Sequence, residues 1–406
     1  MHEEYLKIAG RILENEVIDL TQKLIRIPSV VRANVADGSE EDVAHFIADQ
    51  LRAIGLSVTM EYVEPRRPNV IAVLEGQGPG KCLLFEGHTD VVTEGNPADW
   101  TYPPFDAVLA DGRIYGRGAC DTKGNIAAMI LATKAIISAG APFKGRIKLC
   151  IPADEEGMML GIKHFIRQGW ADDVDAAIIC EPEENNLCIT QKGAMRAIVK
   201  TQGKMSHGCM PLAGINPITR LAALITELDM YEKREIARLG LHPFLGYPSV
   251  TPTILKAPVE GEPQINVVPA AALATLDIRT VPGQDHEAIK RDIQAIFGCL
   301  KARDEKFSAT IEVIEERPWT ETPKDSPVVT ALAEAYRAVT GKEVIYNGVP
   351  GATDGTFLNY WKNIPIATIG AGNRLIPHQK DEYVDVAELV ETAKIYAVAA
   401  LRFLND

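Results

Sequence analysis

Apolar residues recur along this chain with two different periods. Residues 12 to 54 repeat at helical spacing in two stretches, broken by "IPSV". Strand-length apolar runs follow: "LSVTMEYV", "NVIAVLEG" and "CLLFEGH". A long periodic stretch from Thr122 to Ala139 predicts a helix. "GRIKLCIPA" predicts a strand, residues 160 to 168 a helix, and "VDAAIICEP" another strand. Alternation of this kind predicts an α/β domain with a largely buried sheet.

The pattern then changes style. "GAMRAIVKTQG" predicts a strand, residues 214 to 229 a helix, and "SVTPTILKAP" and "AALATLDIRTVPG" two more strands. Residues 285 to 300 predict a helix and "ATIEVIEE" a last strand. That order is β-α-β-β-α-β, the split βαβ arrangement. It predicts an inserted domain over residues 191–318, with "RPWTETPKDSP" as the return linker. Residues 1–190 and 319–406 would then form the α/β domain. Its second part carries a helix near 326 to 340, a short strand near Val344, "IPIATIG" and a long helix near 386 to 404.

The 406 residues, 46% of them hydrophobic, suffice for two cores. A net charge of -13 argues against a nucleic-acid or anionic-membrane partner and says nothing more about the substrate, because local charge in a pocket can oppose the global sign. The seven cysteines are odd in number and form no CxxC pair, so they are expected to be reduced and mostly buried. "MHEEYLKIAG" lacks the basic and apolar regions of a signal peptide, and no apolar run reaches spanning length. The expected location is cytoplasmic.

Candidate chemistry sits where apolar strands end. "LLFEGHTDVV" finishes in His88 and Asp90, which point to one side of an extended segment. They suit a metal ligand and the carboxylate that orients it, although a strand can also simply end in polar residues. In "IYGRGACDTKGN", glycines surround Asp121, which could equally cap a helix. "IPADEEGMMLG" puts Asp154, Glu155 and Glu156 together after a strand; such acids need a cation or full solvation. Glu181 follows the next strand, and His378 lies in a loop after "IPIATIGAGN". Carboxylates mixed with imidazoles suit zinc, cobalt or manganese. Five ligands exceed one tetrahedral zinc and suit two metals sharing a bridging carboxylate.

In these ordered motifs the chain resembles the co-catalytic zinc amidohydrolase and peptidase family. That family includes acetylornithine deacetylase, succinyl-diaminopimelate desuccinylase, aminoacylase, carnosinase-type dipeptidases and glutamate carboxypeptidase. The resemblance implies a zinc-peptidase-like α/β catalytic domain, with a mixed sheet flanked by helices. It also implies that the α+β insertion is a lid and dimerisation domain. His88 and Glu181 would bind one metal, Glu156 and His378 the other, and Asp121 would bridge them. Asp90 would buttress His88, and a cis peptide would follow Asp121. Three carboxylates against two divalent ions would leave the cluster at net +1, so a bridging water should lose its proton near neutral pH, with Glu155 as the general base that takes it.

The same resemblance assigns the lid. His207 in "GKMSHGCMP" would reach into the partner subunit's site and stabilise the oxyanion; otherwise it is a surface residue before a proline turn. Asn266 and Arg279 would contact substrate, Arg279 through a carboxylate, unless it merely pairs with Asp277. Thr353 and Asp354 in "PGATDGTFL" would lie near the substrate. Cys120 departs from the family pattern and is expected to pack close to the metals. Gly355 and Thr356 replace an arginine of some members and leave the acyl end open. Trp100, Tyr102 and Phe105 are expected to pack. The implied reaction is hydrolysis of an amide in an N-acyl amino acid or short peptide-like substrate with a carboxylate. Carbamoyl, ureido or amine C–N cleavage is the alternative, and a non-catalytic binding protein is a third.

Overall fold

The strand Cys82–Glu86 is buried along its whole length because helices cover both faces of the sheet that contains it. This computed structural model describes residues 2–32 and 39–405. Residues 33–38, within the stretch 12 to 54 read as two helical patterns, lie outside the described residues. The chain divides into two compact units. One comprises Met1–Thr190, Glu321–Val349 and Thr353–Asp406; the other comprises Gln191–Thr320 and Pro350–Ala352.

The first unit is built on a nine-stranded mixed sheet. Its centre is parallel: Cys82–Glu86 pairs with Arg146–Ile151 and with Ala176–Ile179, which pairs in turn with Ile366–Thr368. Arg67–Glu75 adds on antiparallel, followed by Ser57–Glu64. The four parallel strands therefore end on one edge, where α/β proteins place their sites. One face packs on Leu84, Cys150, Phe165, Ile179 and Phe357. On the other face Phe85 meets Tyr396 of the helix Val386–Asn405 at a centroid distance of 5.4 Å.

In the second unit the four long strands and two helices are joined by two short strands, Ser206–His207 and Val267–Val268, that lie outside the β-α-β-β-α-β order. Its antiparallel sheet runs Ser249–Lys256, Ala271–Thr280, Gly193–Gln202 and Ala309–Arg317. Two helices, Pro217–Leu239 and His286–Arg303, cover one face. Leu221, Leu224, Leu228 and Tyr231 lie at helical spacing and are all buried there. Asn216 caps the first helix by accepting the amide of Ile218 at 2.9 Å.

Several boundaries differ from the sequence reading. The helix expected at 214 to 229 runs on to Leu239. Its last turns bury little apolar surface, and ion pairs such as Lys233 with Asp229 at 2.6 Å support them. The helix expected from Thr122 begins at Gly124, after an irregular turn. The hairpin Val108–Ala110 with Arg113–Tyr115, the strand Leu187–Gln191 and the helices His2–Ala9 and Gly355–Lys362 carry too short a periodic signal to be seen in the sequence. All seven cysteines are free, five of them buried. Trp100 is buried and Tyr102 packs on Tyr115 at 5.0 Å. No described helix is long and apolar enough to cross a membrane.

Leu84 is wholly buried in the strand that delivers His88. Leu84→Ala should lower unfolding stability by about 2–5 kcal/mol, read from urea midpoints.

Candidate metal centre

The edge where the parallel strands end collects the acids and imidazoles. His88 lies just past the strand Cys82–Glu86 and is buried. Its Nδ1 faces the main-chain carbonyl of Asp90 at 3.0 Å, and its Nε2 points away, toward Asp121 Oδ1 at 3.0 Å and Glu181 Oε1 at 3.4 Å. A proton on Nδ1 would therefore be held by the backbone, leaving Nε2 free to ligate. Asp121 offers its other oxygen, Oδ2, to His378 Nε2 at 3.5 Å. That same Nε2 lies 2.8 Å from Glu156 Oε1. Two overlapping sets result: His88, Asp121 and Glu181, and Asp121, Glu156 and His378. Within each, the ligand atoms lie within 4.8 Å of one another.

Asp90 lies beside His88 and has further partners. Its carboxylate is 3.5 Å from the imidazole, and it accepts the backbone amides of Glu155 and Glu156, each at 3.0 Å. It thus couples the His88 loop to the turn that carries both glutamates. Burial opposes its charge, but His88 and these amides hold its pKa below the ordinary value.

Asp154 is the structural member of the acidic triplet. It accepts the amides of Met158 and Leu160 at 2.9 and 3.2 Å, and Arg67 Nη2 at 2.6 Å. Arg67 is itself buried, and it also grips Glu40, whose carboxylate is inaccessible. Burial pushes the Glu40 carboxyl up despite this partner. The turn bearing Glu155 and Glu156 is therefore clamped from both sides.

The Asp121 turn is held as tightly. The peptide Asp121–Thr122 is cis, as the family resemblance implied. The Thr122 hydroxyl donates to the Cys180 carbonyl at 2.6 Å, next to Glu181. Glu382, fully buried, accepts the amides of Gly118 and Cys120 at 3.0 Å and of Asp121 at 3.1 Å. Gly118 has φ +85 and a Cβ there would lie 2.8 Å from Val91, so only glycine suits. Sequence reasoning missed Glu382, Arg67 and Glu40. The glycines that bare the 118–121 amides are the one local sign that an acceptor is needed there.

The electrostatics fit cations. Burial opposes charge on His88, yet Glu181, Asp121 and Asp90 overrule it and raise its pKa well above the ordinary value. His378 is raised to about 10, first by Asp121 and then by Glu156. Glu181 Oε1 is buried without a hydrogen-bond partner. An acceptor-rich cluster with such an orphaned oxygen, whose positive partners are two imidazoles, suits divalent metal ions.

The remaining expected residues are distributed differently. His207 and Asn266 are exposed on the second unit and adjacent: the strand Ser206–His207 pairs with Val267–Val268, and Gly208 donates to the Asn266 carbonyl at 2.6 Å. Arg279 is engaged by Asp277 through Nε at 2.6 Å and Nη2 at 3.1 Å, the ion pair left open as its other reading. Thr353 is buried and its Oγ1 accepts the Gly355 amide at 3.3 Å. Asp354 is wholly inaccessible, and neither carboxylate oxygen has a hydrogen-bond partner. Burial raises its pKa well above the ordinary value, and Glu86 and Glu155 add to that rise. Cys120 is buried, its Sγ 3.8 Å from the Asn373 carbonyl, as packing requires.

Residues 84–402 match the family model described as Peptidase family M20/M25/M40. The chain belongs to this family and is a metal-dependent hydrolase. It is 30% identical over 403 residues to succinyl-diaminopimelate desuccinylase of Gluconacetobacter diazotrophicus, covering 96% of this chain and 97% of that one. In fold it is similar to an M20 family metallo-carboxypeptidase from Sulfolobus solfataricus, with TM-score 0.78, 19% identity and 95% and 99% of the two chains covered. It is similar also to a dinuclear metal-binding M20 peptidase of Bacillus subtilis, with TM-score 0.73, 18% identity and 96% and 98% coverage.

Arg67→Met would leave Glu40 and Asp154 buried without their cation, lowering stability at neutral pH by about 3–5 kcal/mol. Burial already raises the Glu40 carboxyl, and without Arg67 it would rise further above its unfolded value. The deficit should grow as pH rises and shrink toward about pH 5, measured by urea denaturation at each pH.

Proposed function

We propose that the chain hydrolyses the amide bond of an N-acyl amino acid, or of a short peptide-like substrate, that carries a free carboxylate. The observation that carries this reading is the pair of ligand sets sharing Asp121. His88 and Glu181 would hold one divalent ion, Glu156 and His378 the second, and Asp121 would offer an oxygen to each. Zinc is the preferred ion; cobalt and manganese suit the same donors. When bound, the two ions would polarise the scissile carbonyl and acidify water.

Glu155 stands beside the ligand Glu156 but belongs to neither ligand set. Its amide is fixed by Asp90 and its turn by Asp154. It would take a proton from water and return it to the leaving nitrogen. Support for an N-acyl substrate comes from the relatives named as succinyl-diaminopimelate desuccinylases. The same chemistry serves peptide bonds, as in the metallo-carboxypeptidase of similar fold.

A homodimer through the second unit completes the reading. Its edge strand Ser249–Lys256 exposes Ile254 and Leu255, a surface suited to pairing with another chain. His207 of the partner subunit would stabilise the developing oxyanion, with Asn266 beside it. The unpaired thiols are in keeping with a reducing, cytoplasmic setting.

Chelation should abolish hydrolysis of N-succinyl and N-acetyl amino acids, and zinc, cobalt or manganese should restore it. Full turnover by demonstrably metal-free protein would refute the reading. Glu155→Gln should keep its metal while kcat falls about 10²–10⁴-fold. His207→Ala should lose turnover and regain part of it when mixed with a Glu155→Gln subunit. A fully active monomer would exclude the shared site.

A further inference from the structure

Glu382 has a place in the fold that the reaction scheme leaves unused. It is completely buried at the start of the strand Tyr383–Asp385, shortly after the loop that carries His378. Its Oε1 accepts the amides of Gly118, Cys120 and Asp121. Its Oε2 meets Arg117 Nη1 at 2.5 Å. Arg117 in turn donates Nη2 to the Thr93 carbonyl at 3.2 Å, in the loop that follows His88 and Asp90. The Glu382 main chain is committed too, its carbonyl accepting the Gly116 amide at 2.8 Å. One side chain thus ties together the segments carrying His88, Asp121 and His378.

We infer that Glu382 is the positioning residue that sets Asp121 as the shared ligand of the two metals. The inference rests on the metal reading above. Three amides converging on one oxygen fix the backbone of the 118–121 turn, and with it the direction in which Asp121 leaves the chain. A displaced Asp121 would lose contact with both sites together, because its Oδ1 faces His88 and its Oδ2 faces His378. Glutamine is the informative replacement. Its carbonyl can still accept the amides, but its NH2 would face Arg117, donor against donor. The pull on the turn weakens while the volume is kept.

The test is metal binding by the full chain, followed by calorimetric titration with zinc and by the visible spectrum of the cobalt form. Wild type should take up two ions. Glu382→Gln should bind both about 10–100-fold more weakly, with a changed cobalt spectrum. Its kcat should fall at subsaturating metal and recover in part when metal is raised, with KM nearly constant. A purely structural role predicts instead a lower melting temperature of the metal-free protein with unaltered metal affinities. Glu382→Asp, which keeps the charge but shortens the reach, should fall between the two if Glu382→Gln is too unstable to purify. Wild-type affinities and spectrum in either variant would overturn the inference alone. A wild-type chain that binds no metal would overturn the metal reading, and this inference with it.

Discussion

Like-charge repulsion is the constraint around which this structure is organised. Asp121, Glu156 and Glu181 converge on a buried edge, with Asp90, Asp154 and Glu382 close behind them. Carboxylates at such separations oppose one another more strongly than in water, because the surroundings screen them poorly. The fold therefore gives each supporting acid its own compensation. Asp90 accepts two amides, Asp154 accepts two amides and Arg67, and Glu382 accepts three amides and Arg117. The acids that face the cluster are left to the imidazoles, while Glu86 and Asp354, buried without hydrogen-bond partners, have their pKa values raised by desolvation. The residual demand for positive charge is thereby concentrated in one place, where metal ions can meet it.

That division of labour explains why the residues of the candidate centre follow strands. Four parallel strands deliver His88, the Glu155–Glu156 turn, Glu181 and the His378 loop to a single edge. A strand buried on both faces has no freedom to slip, since one residue of slippage would invert every side chain. The short loops beyond the strands are then fixed by the buried acids. Rigidity comes from the sheet in one direction and from charged anchors in the other.

This also separates what could be read in the sequence from what could not. His88, Asp121, Glu156, Glu181 and His378 each follow an apolar run or a glycine cluster, so their positions announce themselves. In the second unit the long strands and helices were legible because their periods alternate cleanly, while the two-residue strands Ser206–His207 and Val267–Val268 were too short to show a period. Glu382, Arg67 and Glu40 were not legible. Each is an ordinary charged residue in its local context, and its partner lies far along the chain: Arg67 meets Asp154, and Glu382 meets Arg117. The burial of Asp354 was not legible for the opposite reason. A loop of glycine, threonine and aspartate looks solvent-facing, yet the helix Gly355–Lys362 that it opens packs on the sheet and carries Asp354 inward. Arg279 stands two residues from Asp277 on one strand, so both point to the same side and the pair was foreseeable as an alternative.

The imidazoles link metal binding to stability. His378 has its pKa raised to about 10 by Asp121 and Glu156, and His88 is raised as well. In the metal-free chain a proton on each ring partly supplies the charge that the acids require. A histidine raised in the folded state stabilises the fold fully below its unfolded value, near 6.5. That contribution fades as pH climbs through the folded value. Metal binding must displace these protons, so affinity should rise with pH over the interval in which the metal-free fold loses their support. Protons and metal ions are thus alternative answers to one electrostatic demand. The buried anchors keep the site assembled whichever of them is present.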